Sequence, residues 1–320
     1  NRWSLIFFRE FLLHPCFKRR VRVCVIFNPT AKGDRARRFR SHLEGLGNSC
    51  VMRETTGPGD GVEQARAAVK EGFLKIVAAG GDGTINEVAN GIVQADGLGQ
   101  VRLGVLPWGS VNVFAKELRI PTRFEAAWDV VLNGVDRVID LGWMELGAEQ
   151  EKRCFVQLAG AGLDGRAVEL VDWEQKKKLG DLAYVLAAWK ALGEDLPVIT
   201  ARVDDREVSG QLVLLGNGRF YGGRHVFFPG ARMDDGALDV LVLEEVRQWR
   251  ILSYGWATLR NRVTSLKGVH YFQTDQLELC AEKRVPVEME GDAAGQLPEP
   301  PLSGRIWVQG RALRVLVAGQ

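Results

Sequence analysis

From residue 21 onward the apolar residues of this chain fall into short unbroken runs, separated by stretches in which they recur every three or four positions. A short unbroken run fits a strand buried on both faces, and the wider spacing fits a helix that buries one side. The pattern predicts strands at 21–27, 49–54, 74–79 and 101–106, and helices at 35–46, 61–71, 85–92, 111–118 and 123–132. Strands alternating with helices make β-α-β units and a mainly parallel sheet, whose ligands bind beyond the carboxyl ends of the strands.

After Val138-Ile139-Asp140-Leu141-Gly142 the texture changes to strands and turns. Strands are expected at 155–158, 199–203, 211–215, 238–243, 276–281 and 305–308, with a hairpin turn inside Val203-Asp204-Asp205-Arg206-Glu207-Val208. Helices interrupt only around 180–192 and 249–265. The expected fold class is α/β plus β: a mainly parallel α/β domain over 21–136 and a mostly antiparallel β domain over 137–320, whose last strand is free to return to the first domain. Residues 1–20 stand apart as an amphipathic segment.

A chain of 320 residues with 46% hydrophobic content can bury two cores. Its net charge of +2 argues against a nucleic-acid binder defined by its overall field. The positive charge is local: eleven Lys and Arg lie up to Arg40, opposed only by Glu10 and Asp34, which suits a phosphate-bearing or anionic partner. Trp3, Leu5, Ile6, Phe7, Phe8 and the apolar residues after them end in Lys18-Arg19-Arg20, the composition of a helix lying in a membrane interface. The same composition suits a helix packed on the parent domain or on a partner. No apolar run approaches the ~20 residues of a membrane span, and the first residue is Asn, which leaves room for further N-terminal sequence. Five scattered cysteines with no C-x-x-C pair indicate neither a disulfide framework nor a zinc site, so a cytoplasmic protein is expected.

Candidate chemistry gathers where strands end. Gly80-Gly81-Asp82-Gly83-Thr84 joins the third strand to a helix, and glycines there let backbone N–H groups approach phosphate oxygens. Thr84-Ile85-Asn86-Glu87 also fits a capping box, in which Thr84 would only cap that helix. Asp82 in a phosphate turn would act through Mg²⁺ or water. Phe27-Asn28-Pro29-Thr30 follows the first strand, with the side chains of Asn28 and Thr30 free for a nucleotide, and Gly109-Ser110 follows the fourth strand at another helix start. Three such turns at neighbouring strand ends converge. Gly160-Ala161-Gly162-Leu163-Asp164-Gly165 matches the dinucleotide fingerprint but opens no β-α-β unit, and a P-loop is absent. Trp173, Tyr184, Trp189, Trp249 and Trp256 suit either core or substrate wall.

Asn28-Pro29, Gly80-Gly81-Asp82-Gly83-Thr84 and Gly109-Ser110-Val111-Asn112 together resemble the diacylglycerol kinase catalytic domain of bacterial lipid kinases and sphingosine kinases. The resemblance continues through Asp140-Leu141-Gly142, the run from Pro229 to Asp239 and Glu290-Gly291-Asp292. It implies a β-sandwich domain behind a cleft and Mg²⁺-dependent transfer of the ATP γ-phosphoryl group to a diacylglycerol- or sphingoid-like lipid at an anionic membrane surface, with a homodimer left open. Carried over by position, Asn28, Thr30, Thr55, Gly80, Gly81, Asp82, Gly83, Thr84, Ile85, Asn86 and Ser110 would hold the nucleotide. Asp235 and the carbonyls of Arg232 and Ala237 would hold a structural Mg²⁺, and Asp292 would be the base, with Asp82 beside it in catalysis. Two positions depart from the family pattern: Asp292 stands where the family has Glu, and Val113 where it commonly has Asp. A nucleotide-binding protein of little activity and an NAD kinase-like enzyme are the alternatives.

Overall fold

In the computed structural model the apolar runs of the first half become buried parallel strands. The structure describes residues 23–29, 34–147, 151–171 and 182–319; the expected segment 1–20, Thr30 and Trp173 lie outside them. The first half runs β1 (Val23–Phe27), α1 (Asp34–Gly45), β2 (Val51–Glu54), α2 (Asp60–Lys70), β3 (Lys75–Gly80), α3 (Asp82–Gln94), β4 (Arg102–Pro107), α4 (Val113–Glu117) and α5 (Phe124–Asn133). Strand β1 pairs in parallel with β2 and β3, and β3 with β4, so the carboxyl ends of all four lie together.

The second half comprises β5 (Val135–Glu145), β6 (Arg153–Phe155), β7 (Leu158–Gly162), α6 (Leu163–Leu170), α7 (Leu182–Ala191), β8 (Ile199–Val203), β9 (Arg206–Gly210), β10 (Leu212–Gly216), β11 (Phe220–Tyr221), β12 (His225–Val226), β13 (Leu238–Leu243), α8 (Ile251–Leu259), β14 (Val269–Thr274), β15 (Gln276–Ala281), β16 (Val285–Met289), β17 (Asp292–Leu297) and β18 (Gly304–Val317). One sheet has the order β14-β13-β10-β7-β16-β17, and every neighbour in it is antiparallel. The other sheet, β2-β1-β3-β4-β18-β15-β8-β9 with β5 and β6 beside β18, runs through both halves. Strand β18 joins them, parallel to β4 at Arg314 and Val315 and antiparallel to β5 along most of its length.

Alternation of side chains along a strand divides the second half into two cores. Val213, Val240 and Val242 meet Ile199, Leu279 and Ile306 between the two sheets, while Leu214, Leu241 and Leu243 turn to the opposite face, towards Ala191 of α7 and Ala257 of α8. The expected fold class is therefore the observed one: a parallel α/β half and an antiparallel β-sandwich half.

Several local expectations are corrected. Helix α3 starts at Asp82 rather than residue 85, because Gly81 is extended (φ −91°) and Asp82 occupies the first turn, where the helix dipole favours a carboxylate. The capping box does not form: the Glu87 carboxylate instead accepts the N–H groups of Gly59 (2.7 Å) and Gly61 (2.9 Å) where α2 begins. The strand expected at 155–158 splits into β6 and β7, and the fingerprint glycines Gly160 and Gly162 lie in β7, which has only antiparallel neighbours. The helix expected over 249–265 is cut to α8 by Asn261, in the left-handed region at φ 53°.

Candidate active site

The glycine turns after β3 and β4 are fixed by contacts that only glycine permits. A Cβ on Gly80 would overlap the Thr84 side chain, and one on Gly109 would lie 2.5 Å from Gly81 Cα, so the turns after β3 and β4 press backbone against backbone. The Trp108 N–H donates to the Gly80 carbonyl at 2.8 Å, which locks them. The Asn28 side-chain amide reaches Thr84 Oγ1 at 3.3 Å. Buried Thr55 donates its backbone N–H to the Phe27 carbonyl at 2.9 Å. Asn28, Thr55, Gly80 to Thr84 and exposed Ser110 thus share one end of the parallel strands. Ile85 does not offer its side chain, which is fully buried in the core. Asn86 is buried too, with Oδ1 lacking a hydrogen-bond partner among the described residues.

Asp82 is committed to the protein itself. Its Oδ2 accepts the Val113 N–H and its Oδ1 the Phe114 N–H, both at 3.0 Å, so it closes the start of α4. Burial nevertheless raises its pKa, against the pull of those two amides. Asn112 fixes the same turn from a left-handed backbone (φ 53°), its side chain bonding both N–H and C=O of Gly109.

Across the cleft, β16 and β17 are joined by Glu290 (φ 55°) and Gly291 (φ 83°). Two successive positive φ angles make the two-residue hairpin turn that suits the twist of paired strands. Three side chains hold it. Glu290 Oε1 accepts the N–H groups of Val156 (2.9 Å), Gln157 (2.6 Å) and Leu158 (3.3 Å). Glu288 Oε2 accepts the Gly291 N–H at 2.7 Å, and the Tyr184 hydroxyl donates to the Gly291 carbonyl at 3.0 Å. The turn leaves Asp292 exposed with Oδ2 against Gly83, where a Cβ would overlap it. The anticipated base and the anticipated phosphate turn are thus in contact.

Sequence reasoning missed the carboxyls behind Asp292. Burial, and after it the charge of Asp82, push Glu290 up to about 8; its Oε2 is buried with no hydrogen-bond partner among the described residues. Burial also raises Glu288 well above the carboxylate range, with the charge of Asp164 adding to the shift, and burial raises Asp164 as well. The Tyr221 hydroxyl donates to Asp164 Oδ1 at 2.5 Å. Gly160 makes room for this pair, since a Cβ there would strike Asp164 Oδ2. A glycine preceding an acid in an apolar strand was the available signal.

The Asp235 turn lies elsewhere, against the middle of β5. Fully buried Asp140 accepts the Gly236 N–H at Oδ2 (2.7 Å) and the Arg311 N–H at Oδ1 (2.6 Å), and its own N–H donates to the Met233 carbonyl (2.6 Å). Asp235 Oδ1 accepts the Ala237 N–H at 3.2 Å. Burial and then the charge of Asp140 raise Asp235, a local excess of negative potential that a cation would relieve. Carboxylate and carbonyl oxygens are the donors that a hard cation prefers, so the residues fit Mg²⁺. No group of three His, Cys, Asp or Glu side chains suited to a metal occurs among the described residues. No helix among them is long and apolar enough to cross a membrane.

Comparison with known proteins places this geometry. Residues 22–144 match the diacylglycerol kinase catalytic domain, and residues 157–317 match the YegS C-terminal NAD kinase beta sandwich-like domain. A diacylglycerol kinase of Bacillus subtilis (strain 168) is 30% identical over 293 residues, covering 87% of this chain and 91% of that protein. A "Probable lipid kinase YegS-like" of Chromohalobacter salexigens is 31% identical over 249 residues, covering 77% and 78%. The crystal structure of a diacylglycerol kinase from Bacillus anthracis str. Sterne superposes with a TM-score of 0.72 at 21% identity, over 93% of this chain and 97% of that one, which shows the shared fold. The chain belongs to the diacylglycerol kinase catalytic-domain family and is a phosphotransferase of the lipid kinase class.

Proposed function

We propose that the chain transfers the γ-phosphoryl group of Mg²⁺-bound ATP to a hydroxyl of a diacylglycerol- or sphingoid-like lipid, at an anionic membrane surface that it binds peripherally. The observation that carries this reading is the contact of the Asp292 carboxylate with Gly83, which sets a proton acceptor beside a backbone built to approach phosphate. Asn28, Thr30, Thr55, Ser110 and the turn from Gly80 to Asn86 bind the nucleotide, Ile85 through its backbone. The amides around Gly81 and Gly83 neutralise phosphate charge, and positioning with electrostatics does most of the work in phosphoryl transfer. The lipid oxygen bonds to the γ-phosphorus as the bond from that phosphorus to the bridging oxygen of ADP breaks, and the hydroxyl proton passes to Asp292.

Asp292 is shorter than Glu by one methylene, and the hairpin turn compensates by setting its carboxylate against Gly83. Asp82 acts by fixing the Val113–Phe114 amides. Asp235 with the carbonyls of Arg232 and Ala237 would hold the structural Mg²⁺, whose charge offsets that of Asp140 and Asp235 and stiffens their turn. The test is transfer of labelled γ-phosphate to a lipid panel by the parent chain and Asp292→Asn. The variant is expected to bind nucleotide and lose at least ~100-fold in rate; an unchanged rate removes Asp292 from the mechanism.

A further inference from the structure

Helix α8 is turned inside out for a protein surface in water. Among its described side chains those turned inward are small or tethered: Ala257 is buried, and the Tyr254 hydroxyl donates to the Glu245 carbonyl. Its outer side, with the turn before it, carries Trp249 (76% exposed), Trp256 (59%) and Leu259 (71%). Isolated exposed apolar residues are ordinary, but two tryptophans and a leucine on one short element form a patch of the kind that marks an interaction site.

The charge around the patch selects the partner. Between Glu245 and Asp275 the sequence contains no acidic residue, and it carries Arg247, Arg250, Arg260, Arg262 and Lys267. That is five positive charges in one stretch of a chain whose whole net charge is +2. The Arg260 guanidinium lies 4.2 Å from the Trp256 ring centroid, and Arg250 lies 5.8 Å from that of Trp249. Indole rings with guanidinium groups beside them suit the level of lipid headgroups, where the ring enters the acyl boundary and the cation meets phosphate.

The patch also adjoins the cleft. Helix α7 begins beside the catalytic turn, where Tyr184 bonds Gly291. Gly193, just past its end, stands against Gln248, since a Cβ there would lie 3.4 Å from Gln248 Nε2. Nine residues at ~1.5 Å each separate the two contacts by about 13 Å. Exposed Trp189 on α7 lies along that path.

We propose that the face formed by Trp249, Trp256, Leu259 and the arginines around them docks on an anionic phospholipid bilayer and brings the cleft to the headgroup level. This rests on the lipid-kinase reading for its purpose, though not for its detection. The test uses the full chain, the double variant Trp249→Ala/Trp256→Ala and the single variant Arg260→Glu. Flotation is measured with phosphatidylcholine vesicles with and without phosphatidylglycerol, and tryptophan quenching with brominated acyl chains.

The parent is expected to float only with anionic vesicles. Arg260→Glu should bind about fivefold or more weakly, and the double variant on the order of tenfold more weakly, with the quenching lost. Phosphorylation of a dispersed short-chain diacylglycerol should remain at the parent rate in both variants, while that of a vesicle-embedded acceptor falls. If no lipid is phosphorylated by any form, the kinase reading fails while the binding arms still decide docking. Unchanged flotation overturns the proposal. So does a parallel loss on dispersed and embedded acceptors, or a vesicle-independent dimer that the double variant dissociates, which would assign the patch to a second copy of the chain.

Discussion

Replacing Glu290 with Gln tests whether the carboxyl behind the catalytic turn is held at a cost. Burial and the charge of Asp82 raise it from the ordinary 4.5 to about 8 in the folded chain. Between those values the native state keeps a proton that the unfolded chain releases. Stability from this group is therefore complete below about pH 4.5 and is lost as the pH climbs towards about 8. At about 1.4 kcal/mol per pH unit the loss approaches ~5 kcal/mol at the upper end. Glutamine keeps an oxygen for the three amides of residues 156–158 and carries no charge. The variant should lie within ~1 kcal/mol of the parent near pH 5 and be more stable by ~3–5 kcal/mol near pH 8.5. With a melting entropy of ~2 cal/mol/K per residue over 320 residues, that is up to ~7 °C in Tm. Thermal and urea unfolding of both chains across this range measure it. A difference that stays constant with pH, or grows towards acid, refutes the reasoning.

Two further substitutions probe the contacts around Asp292 and Asp140. Gly83→Ala places a methyl group where Asp292 Oδ2 lies; because alanine suits a helix, stability should hold within ~1 kcal/mol. Displacement of the carboxylate should lower kcat by on the order of 100-fold with little change in nucleotide KM, and steady-state kinetics at the parent rate would show that the contact is idle. Asp140→Ala strands the part-buried N–H groups of Gly236 and Arg311 that its buried carboxylate accepts. At ~1–3 kcal/mol each, urea unfolding should show a loss of ~2–6 kcal/mol, and a loss under ~1 kcal/mol would mean that water replaces the carboxylate.

The α/β half was legible because parallel strands buried on both faces read as unbroken apolar runs: Val23–Phe27 is buried at every position. The start of α3 was not, since Asp82 and Gly83 look like loop residues until Gly81 is seen to extend the chain into them. Strand β17 escaped for the opposite reason. Asp292–Leu297 contains no β-branched or aromatic residue and is a strand only because β16 pairs with it. Strand β18 was read only at 305–308 because Gln309-Gly310-Arg311 breaks its alternation. The break is where the pairing with β5 shifts register and Arg311 turns its N–H to Asp140. The site shows the same division. Glycines and capping residues leave a sequence pattern, whereas Glu288, Glu290 and Asp164 are single acids whose role depends on burial that only the packed sheets create.

The buried carboxyls explain how the proposed base, on an exposed turn, can be held in place. Backbone bonds fix the nucleotide turns within the α/β half: Trp108 to Gly80, and Val113 and Phe114 to Asp82. Asp292 depends on the other half. Glu290 ties its turn to residues 156–158, and the Asn217 side chain donates to the carbonyls of both Val156 (2.8 Å) and Asp140 (2.9 Å). Asp140 in turn holds the Asp235 loop. The proposed cation site and the proposed base are therefore the two ends of one series of hydrogen bonds that does not pass through the phosphate turns. Loosening it at Asp140 should lower the rate of transfer more than it weakens nucleotide binding. Loosening Gly80 or Gly109 should do the reverse, because a Cβ at either residue strikes its own half of the cleft.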